Sequence, residues 1–300
     1  MRFFSIVFMI YVVFLYNPCF AQAKKRIIVP FEIVNDRMIA KLETDETTLN
    51  LIFDVASNVC MIDSTKANNL DFKFGFNKPA DDLSSYFKAF SGKNALPKTH
   101  WIVKEFKHES ERLNYNLDGL FGAYSLIKNN NTVIDFKQKI IIIDTCLNPS
   151  SYFDQISFEI STVNKSKNGL GTHYPKLLSI NTTIQFDSIL TKSMDLIIDT
   201  GSKYGVALIC NDSTLIDSIL LYKDDYSIFN STKKIGFTSS IIGALSPFYY
   251  KTPIFFRPED TAIMNNNFYG LIGIPILKNF DKIYIDWTTE RVYLIKKTNR

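Results

Sequence analysis

The sequence is poor in glycine and proline, and its charges nearly cancel. Its 300 residues include 12 glycines and 10 prolines, far fewer than a collagen-like or low-complexity linker protein contains. Basic residues outnumber acidic ones by only 34 to 30, so we do not expect a nucleic-acid partner, which requires clustered positive charge. Hydrophobic residues make up 46% of the chain and charged residues 21%. This composition excludes a disordered protein and provides enough apolar material for a packed core.

Histidine is also scarce, and this argues against metal chemistry. His100, His108 and His173 show no paired spacing typical of a metal site, and no carboxylate completes a ligand pattern with them. We therefore expect no metal and no other cofactor. The sequence also lacks the Gly-x-Ser-x-Gly segment of a serine-hydrolase nucleophile elbow.

A single hydrophobic run stands out, and it lies at the N-terminus. Arg2 precedes an apolar stretch from Phe3 to Leu15, and a breaker with a small residue, Ala21, follows. This pattern predicts a signal peptide over residues 1–21, since the run is too short to cross a bilayer comfortably. We expect a secreted or periplasmic protein that has no membrane association after cleavage.

Short runs rich in β-branched and aromatic residues dominate the rest of the chain. Asn, Asp and Thr separate these runs, and long helical periodicity is rare. This pattern of short runs predicts an all-β, barrel-like fold with few short helices. Strands are predicted at Ile27–Val29, Met38–Leu42, Leu49–Phe53, Ile140–Ile143, Leu196–Ile198, Ile283–Ile285 and Val292–Ile295, and short helices at Ser64–Leu70 and Thr214–Leu221.

The sequence contains an internal duplication. Residues 51–57, Leu-Ile-Phe-Asp-Val-Ala-Ser, are similar to residues 196–202, Leu-Ile-Ile-Asp-Thr-Gly-Ser. A second segment, Gly119–Gly122, is similar to Gly270–Gly273, and its last glycine follows the aspartate of its half by 68 or 74 residues. An Ile-Asp-aromatic triplet then recurs, with its aspartate 13 residues beyond each glycine. Three ordered landmarks with nearly equal spacing indicate two related lobes.

The polar stretch between residues 148 and 175 is predicted to contain the boundary between the lobes. We expect an N-terminal lobe over residues 22–161, a linker over residues 162–173 and a C-terminal lobe over residues 174–300. The aspartates of the two triplets, Asp135 and Asp286, are expected to end strands and to have no chemical role.

With these motifs the chain resembles the aspartic peptidases, in their two-lobed pepsin-like or duplicated bacterial retropepsin-like forms. The resemblance extends from Leu49 to Leu294. It implies two related acid-protease-type β-barrel lobes with pseudo-twofold symmetry. A monomer is expected, because both halves of the site are already present in one chain. The implied activity is hydrolysis of a peptide or protein substrate by water held between Asp54 and Asp199.

The resemblance also implies roles for residues around the two aspartates. The Thr200 hydroxyl is expected to bond across to the opposite loop, beside Gly201. The Ser57 and Ser202 hydroxyls are expected to donate to the outer carboxylate oxygens. Residues Phe90, Ser91 and Gly92 follow Asp54 at the distance where the family has a substrate-covering hairpin, and they form the candidate flap.

The first loop departs from the family pattern. Val55 has no hydroxyl for a cross-loop bond, and Ala56 replaces a glycine. These departures keep open an alternative, a non-catalytic peptide- or ligand-binding protein on the same fold. That alternative predicts carboxylates more than about 5 Å apart with a side chain between them, beyond hydrogen-bonding range. A third interpretation, an unrelated exported β-sandwich, predicts no pseudo-twofold axis.

Overall fold

The computed structural model describes residues 26–57, 59–68, 73–74, 85–86, 90–91, 94–96, 101–128, 130–143, 155–163, 177–186, 190–210, 226–228, 234–242, 246–256 and 268–296. The predicted signal peptide and the predicted helix at residues 214–221 lie outside the described residues.

The described chain is mostly β-strand. Its strands are β1 (Ile27–Val34), β2 (Arg37–Glu43), β3 (Thr48–Asp54), β4 (Cys60–Asp63), β5 (Lys73–Phe74), β6 (Ser85–Tyr86), β7 (Phe90–Ser91), β8 (Asn94–Ala95), β9 (Trp101–Lys104), β10 (Gly119–Gly122), β11 (Thr132–Asp135), β12 (Ile140–Ile143), β13 (Gln155–Val163), β14 (Leu177–Phe186), β15 (Leu190–Ile198), β16 (Val206–Cys210), β17 (Tyr226–Ile228), β18 (Lys234–Ile242), β19 (Ser246–Phe256), β20 (Phe268–Ile272), β21 (Phe280–Asp286) and β22 (Arg291–Lys296). The helices are α1 (Ser64–Ala67), α2 (Lys107–Leu113), α3 (Tyr124–Ile127) and α4 (Ile274–Leu277).

Every strand predicted from the sequence lies within one of these strands, and the all-β prediction is confirmed. The apolar runs are buried as expected: Leu49, Leu51 and Phe53 of β3 have no exposed surface. The first predicted helix is present as α1, where the Asp63 carboxylate accepts a hydrogen bond from Thr65 N at 2.9 Å. This is an N-cap, which satisfies a backbone donor that the helix leaves unpaired. Among the described residues, none of the helices is long and apolar enough to span a bilayer.

One antiparallel sheet combines strands of both halves in the order β1-β12-β11-β21-β22-β13. At its centre Val133 of β11 pairs with Tyr284 of β21. These two residues are equivalent positions of the duplication, since each precedes the Ile-Asp-aromatic triplet of its half. A pseudo-twofold axis therefore passes through this pair, and the interpretation as an unrelated sandwich is wrong.

The two halves repeat the same strand order outside this sheet. In the first half it is β1-β2-β3-β10-β4, and in the second it is β13-β14-β15-β20-β16. In both halves the third and fourth strands of the series run parallel and the other neighbours run antiparallel. A buried core that includes residues of both halves lies beneath these sheets.

Strand β13 begins the second half earlier than the sequence predicted. It is the counterpart of β1 and pairs with β22 through Gln155–Glu159 and with β14 through Ile160–Val163. The expected boundary at residue 161 therefore falls inside a strand whose partners belong to the second half. The polar residues 164–171 suggest a boundary just after residue 161, whereas the strand partners assign residues 155–161 to the second half.

Candidate active site

Each aspartate lies at the end of a strand that is paired in parallel with a glycine-containing strand. Strand β10 places Gly122 opposite Asp54, and β20 runs beside β15 in the equivalent register. A Cβ atom at Gly122 would lie 2.5 Å from Val59 O, and one at Gly273 would lie 2.2 Å from Tyr204 O. Only glycine fits beneath each aspartate loop, which explains the glycines that follow at matched spacing.

The two loops bring Asp54 and Asp199 together. Their carboxyl groups share a side-chain hydrogen bond. The position of a Cβ atom on Gly201 would be 3.2 Å from Asp54 Oδ2 and 3.3 Å from Asp199 Oδ1, so both carboxyls border the same point. Both residues are half-buried and retain solvent access. This is the juxtaposition expected from the duplicated motif.

Backbone N–H groups hold the two carboxylates in equivalent ways. Ala56 N donates to Asp54 Oδ1 at 2.8 Å, and Gly201 N donates to Asp199 Oδ1 at 2.9 Å. The N–H groups of Ser57 and Ser202 donate to the backbone carbonyls of Asp54 and Asp199, at 3.4 and 3.2 Å, and they lower the pKa values of the two carboxyls. One backbone donor from each loop, Ala56 N or Gly201 N, thus fixes the orientation of its carboxylate.

The pKa values of the pair are perturbed in an unequal way. Burial raises the pKa of Asp54 well above its ordinary value, and the adjacent Asp199 raises it further. Burial also raises the pKa of Asp199, but the N–H groups of Gly201 and Ser202 and the charge of Arg37 act in the opposite direction. The two carboxyls therefore titrate as a pair, and one proton is shared between them over part of the pH range.

Thr200 makes the cross-loop contact that the sequence predicted. Its hydroxyl accepts a hydrogen bond from Val55 N at 3.1 Å and donates to Phe53 O at 2.5 Å. Both Thr200 and Val55 are fully buried. Because Val55 has no hydroxyl, no equivalent side-chain bond from position 55 reaches the second loop.

The serine hydroxyls differ from the expectation. Ser57 Oγ donates to Val59 O at 3.2 Å and accepts from Val59 N at 3.1 Å. Ser202 Oγ makes the same pair of contacts with Tyr204, at 3.5 and 3.2 Å. The hydroxyls thus close the turn two residues further on, whereas the backbone N–H groups of the serines donate to the backbone carbonyls of Asp54 and Asp199. A hydroxyl bonded to a nearby backbone is a common local turn arrangement, and it competes with longer-range contacts.

Arg37 is part of the site, and the sequence analysis missed it. Arg37 Nη1 donates to Gly201 O at 3.1 Å, across the boundary between the halves. Met38 N adds a longer contact to Thr200 O at 3.4 Å. A basic residue directly before the predicted strand Met38–Leu42, 17 positions before Asp54, was the available signal. Its meaning depends on the register of the β2–β3 hairpin, which the sequence does not reveal.

The candidate flap is a hairpin in the part that the structure describes. Phe90 and Ser91 of β7 pair with Ala95 and Asn94 of β8. Glu43 of β2 pairs with Phe90 and joins the hairpin to the first half. Gly92 lies outside the described residues. That this hairpin covers a substrate remains a prediction.

The aspartates of the two triplets have the structural role that the sequence predicted. Asp135 ends β11, where its Oδ1 accepts from Gln138 N at 2.8 Å. Asp286 ends β21, where its Oδ1 accepts from Thr288 N at 2.9 Å. No group of three metal-ligating side chains occurs among the described residues.

Comparisons with known proteins identify the fold. The sequence matches no protein-family model and no curated protein. The structure is similar to the crystal structure of the aspartic proteinase from Irpex lacteus, with a TM-score of 0.51 and 13% sequence identity. The match covers 91% of this chain and 98% of that chain. The chain has a pepsin-like fold. Within that fold, the paired aspartates lie where the two halves meet.

Proposed function

We propose that this protein is an exported aspartic endopeptidase, in which water activated between Asp54 and Asp199 hydrolyses a peptide bond. The observation that carries the proposal is the hydrogen-bonded pair of half-buried carboxyls, delivered by two equivalent loops. Amide hydrolysis needs a base to remove a proton from water and an acid to protonate the substrate. A carboxyl pair that holds one proton provides both.

The unequal environments assign the two roles. Asp199, which receives backbone N–H groups and faces a cation, is the ionised base. Asp54 retains the shared proton and acts as the acid towards the scissile carbonyl oxygen. An extended peptide would lie in the cleft between the halves, with backbone hydrogen bonds like those of an added strand.

The geometry favours this function over the non-catalytic binding protein. The alternative predicted separated carboxylates with a side chain between them, whereas the two carboxyls share a hydrogen bond. Val55 removes one cross-loop hydroxyl, yet Thr200 still joins the loops. The missing hydroxyl therefore does not separate the pair.

The test uses Asp54→Asn and Asp199→Asn with a peptide library between about pH 3 and pH 7. Each variant should lower kcat/KM by about 10²–10⁴-fold, the usual contribution of a general acid or base. Asp286→Asn is the matched control, because the same change is made at an aspartate that only ends a strand. If the wild type cleaves nothing, or the active-site variants cleave as well as the control, the protein is not an aspartic peptidase.

A further inference from the structure

Arg37 gives the first half of the pseudo-symmetric site a cation at a position where the second half has an apolar residue. Ala40 of β2 and Ile180 of β14 are equivalent, since each pairs with the residue three positions before the aspartate of its half. Three residues earlier in each strand are Arg37 and Leu177. The duplication has therefore diverged at this position from an apolar residue to a permanent positive charge, or the reverse.

One peptide unit connects Arg37 to Asp199. The guanidinium donates to Gly201 O at 3.1 Å. The N–H group of the same peptide unit belongs to Ser202; it donates to the Asp199 backbone carbonyl at 3.2 Å and lowers the pKa of the Asp199 carboxyl. The N–H group of Gly201 itself donates to Asp199 Oδ1 at 2.9 Å. Hydrogen bonds in a chain polarise one another, so a cation at the carbonyl end makes the N–H end a stronger donor.

No carboxylate is paired directly with the guanidinium among the described residues. Arg37 Nε is buried and has no hydrogen-bond partner there, and the hydrogen bond of Nη1 goes to a backbone carbonyl. Its charge is therefore not neutralised by a close ion pair, and it acts on the two aspartates. Arg37 is half-buried and its Nε atom is shielded from solvent. A partly desolvated cation without a close counter-ion is unfavourable, which argues for a role beyond joining the halves.

We propose that Arg37 is a positioning residue that holds the negative charge of the aspartate pair on Asp199, so that Asp54 keeps the proton. The catalytic consequence rests on the proposed function, whereas the placement of charge does not. Arg37 touches neither the substrate nor the reacting atoms in this proposal. It acts through the Gly201–Ser202 peptide and through the electric field of its own positive charge.

The other charged and titratable groups near Arg37 do not supply the same asymmetry. Arg112 of α2 is an exposed cation that disfavours the charge of Arg37, and Tyr204 favours it. Asp36, the preceding residue, forms an ion pair with Lys278, 2.6 Å from Nζ to Oδ1. Asp54 and Asp199 themselves are the remaining charges that act on the guanidinium.

The experiment follows the ¹³C carboxyl signals of Asp54 and Asp199 by NMR titration, without substrate, with Asp54→Asn and Asp199→Asn to assign them. Arg37→Gln can still donate a hydrogen bond to Gly201 O but has no charge, and Arg37→Met has neither. Arg37→Lys keeps the charge. Lys278→Met is the matched control, because it removes a cation and a contact between the halves away from the aspartate loops.

In the wild type, the first proton to leave the pair should change mainly the Asp199 signal. In Arg37→Gln and Arg37→Met this ionisation should move to higher pH and be shared between the two signals, whereas Arg37→Lys and Lys278→Met should resemble the wild type. If Arg37→Met does not fold, Arg37→Gln decides. Unchanged titrations in Arg37→Gln, or an equal shift in Lys278→Met, would overturn the proposal.

Activity provides a second readout that separates the two proposals. In Arg37→Gln the acidic limb of kcat should move to higher pH, with KM changed less than twofold. If neither the wild type nor any variant cleaves peptides, but the carboxyl titration shifts as expected in the Arg37 variants, the peptidase proposal fails and the role of Arg37 stands. If the protein is a normal peptidase whose titration and pH profile do not respond to Arg37, the role of Arg37 fails and the peptidase proposal stands.

Discussion

Thr200 and Val55 join the two aspartate loops through a single hydroxyl group. Thr200 Oγ1 accepts from Val55 N at 3.1 Å and donates to Phe53 O at 2.5 Å. In a symmetric site Val55 would carry a second hydroxyl making the reciprocal bonds to the Thr200 loop. The connection between the halves is therefore one-sided at the point where the carboxyls meet.

Replacing Thr200 by Val should destabilise the protein by about 2–4 kcal/mol, because a buried N–H and a buried carbonyl both lose their partner. Urea denaturation at constant pH measures the change. Thr200→Ser keeps the hydroxyl and is the control, with an expected loss of less than about 1.5 kcal/mol for one methyl group. Equal losses in both variants would mean that packing, and not the hydroxyl, joins the loops.

Val55→Thr should restore the reciprocal connection. The equivalents of the Thr200 contacts are Thr200 N and Ile198 O, so the new hydroxyl has an acceptor and a donor related by the pseudo-twofold axis. We expect a gain of about 1 kcal/mol in the free energy of unfolding. Val55→Ala, which adds no polar group, should lose stability by cavity formation. A destabilised Val55→Thr would show that the first loop has relaxed away from the symmetric position.

Stability should fall as pH rises through the range in which Asp54 ionises. Burial and Asp199 raise the pKa of Asp54, so the folded state binds more protons than the unfolded state between the ordinary pKa and the raised one. The free energy of unfolding therefore decreases with pH in that window. Asp54→Asn, which stays neutral, should gain stability relative to the wild type from about pH 3 to pH 7. Parallel stability curves for the two proteins would contradict this.

Gly201 leaves just enough space for the carboxyl pair. A Cβ atom there would lie 3.1 Å from Asp54 Cγ and 3.3 Å from Asp199 Oδ1, so Gly201→Ala should shift the carboxyls by a few tenths of an ångström. We expect the protein to fold and kcat/KM to fall about tenfold or more, since catalysis is sensitive to such displacements. Ala56→Gly, the reverse change at the equivalent position, is the control and should not lower kcat/KM. Full activity in Gly201→Ala would show that the pair tolerates the shift.

The sequence was informative where local patterns decide the outcome. β3 and β15 are recognisable from apolar runs that end in an aspartate, and Gly122 and Gly273 from their repeated spacing. These signals arise because a strand has a period of two and a crowded turn excludes side chains. Together with the resemblance to the aspartic peptidases, they were enough to predict that Asp54 and Asp199 lie close together.

Other features of the site depend on contacts between distant segments. A serine hydroxyl at position 57 or 202 can donate either to a carboxylate or to a backbone carbonyl. In the folded protein both hydroxyls donate to the backbone carbonyl two residues later. Nothing in the sequence of Gln155–Val163 assigns it to either half, whereas in the fold β22 and β14 provide its partners and place it in the second half.

By itself, the sequence determined the all-β character, the duplication and the identity of the two carboxylates, since each of these is encoded within a few neighbouring residues or repeated at a fixed spacing. Only the tertiary structure decided that Arg37 reaches the loop of Asp199. The reason is physical: residues 37 and 201 meet only after two hairpins adopt their register and the two halves pack together, and no local pattern specifies that meeting.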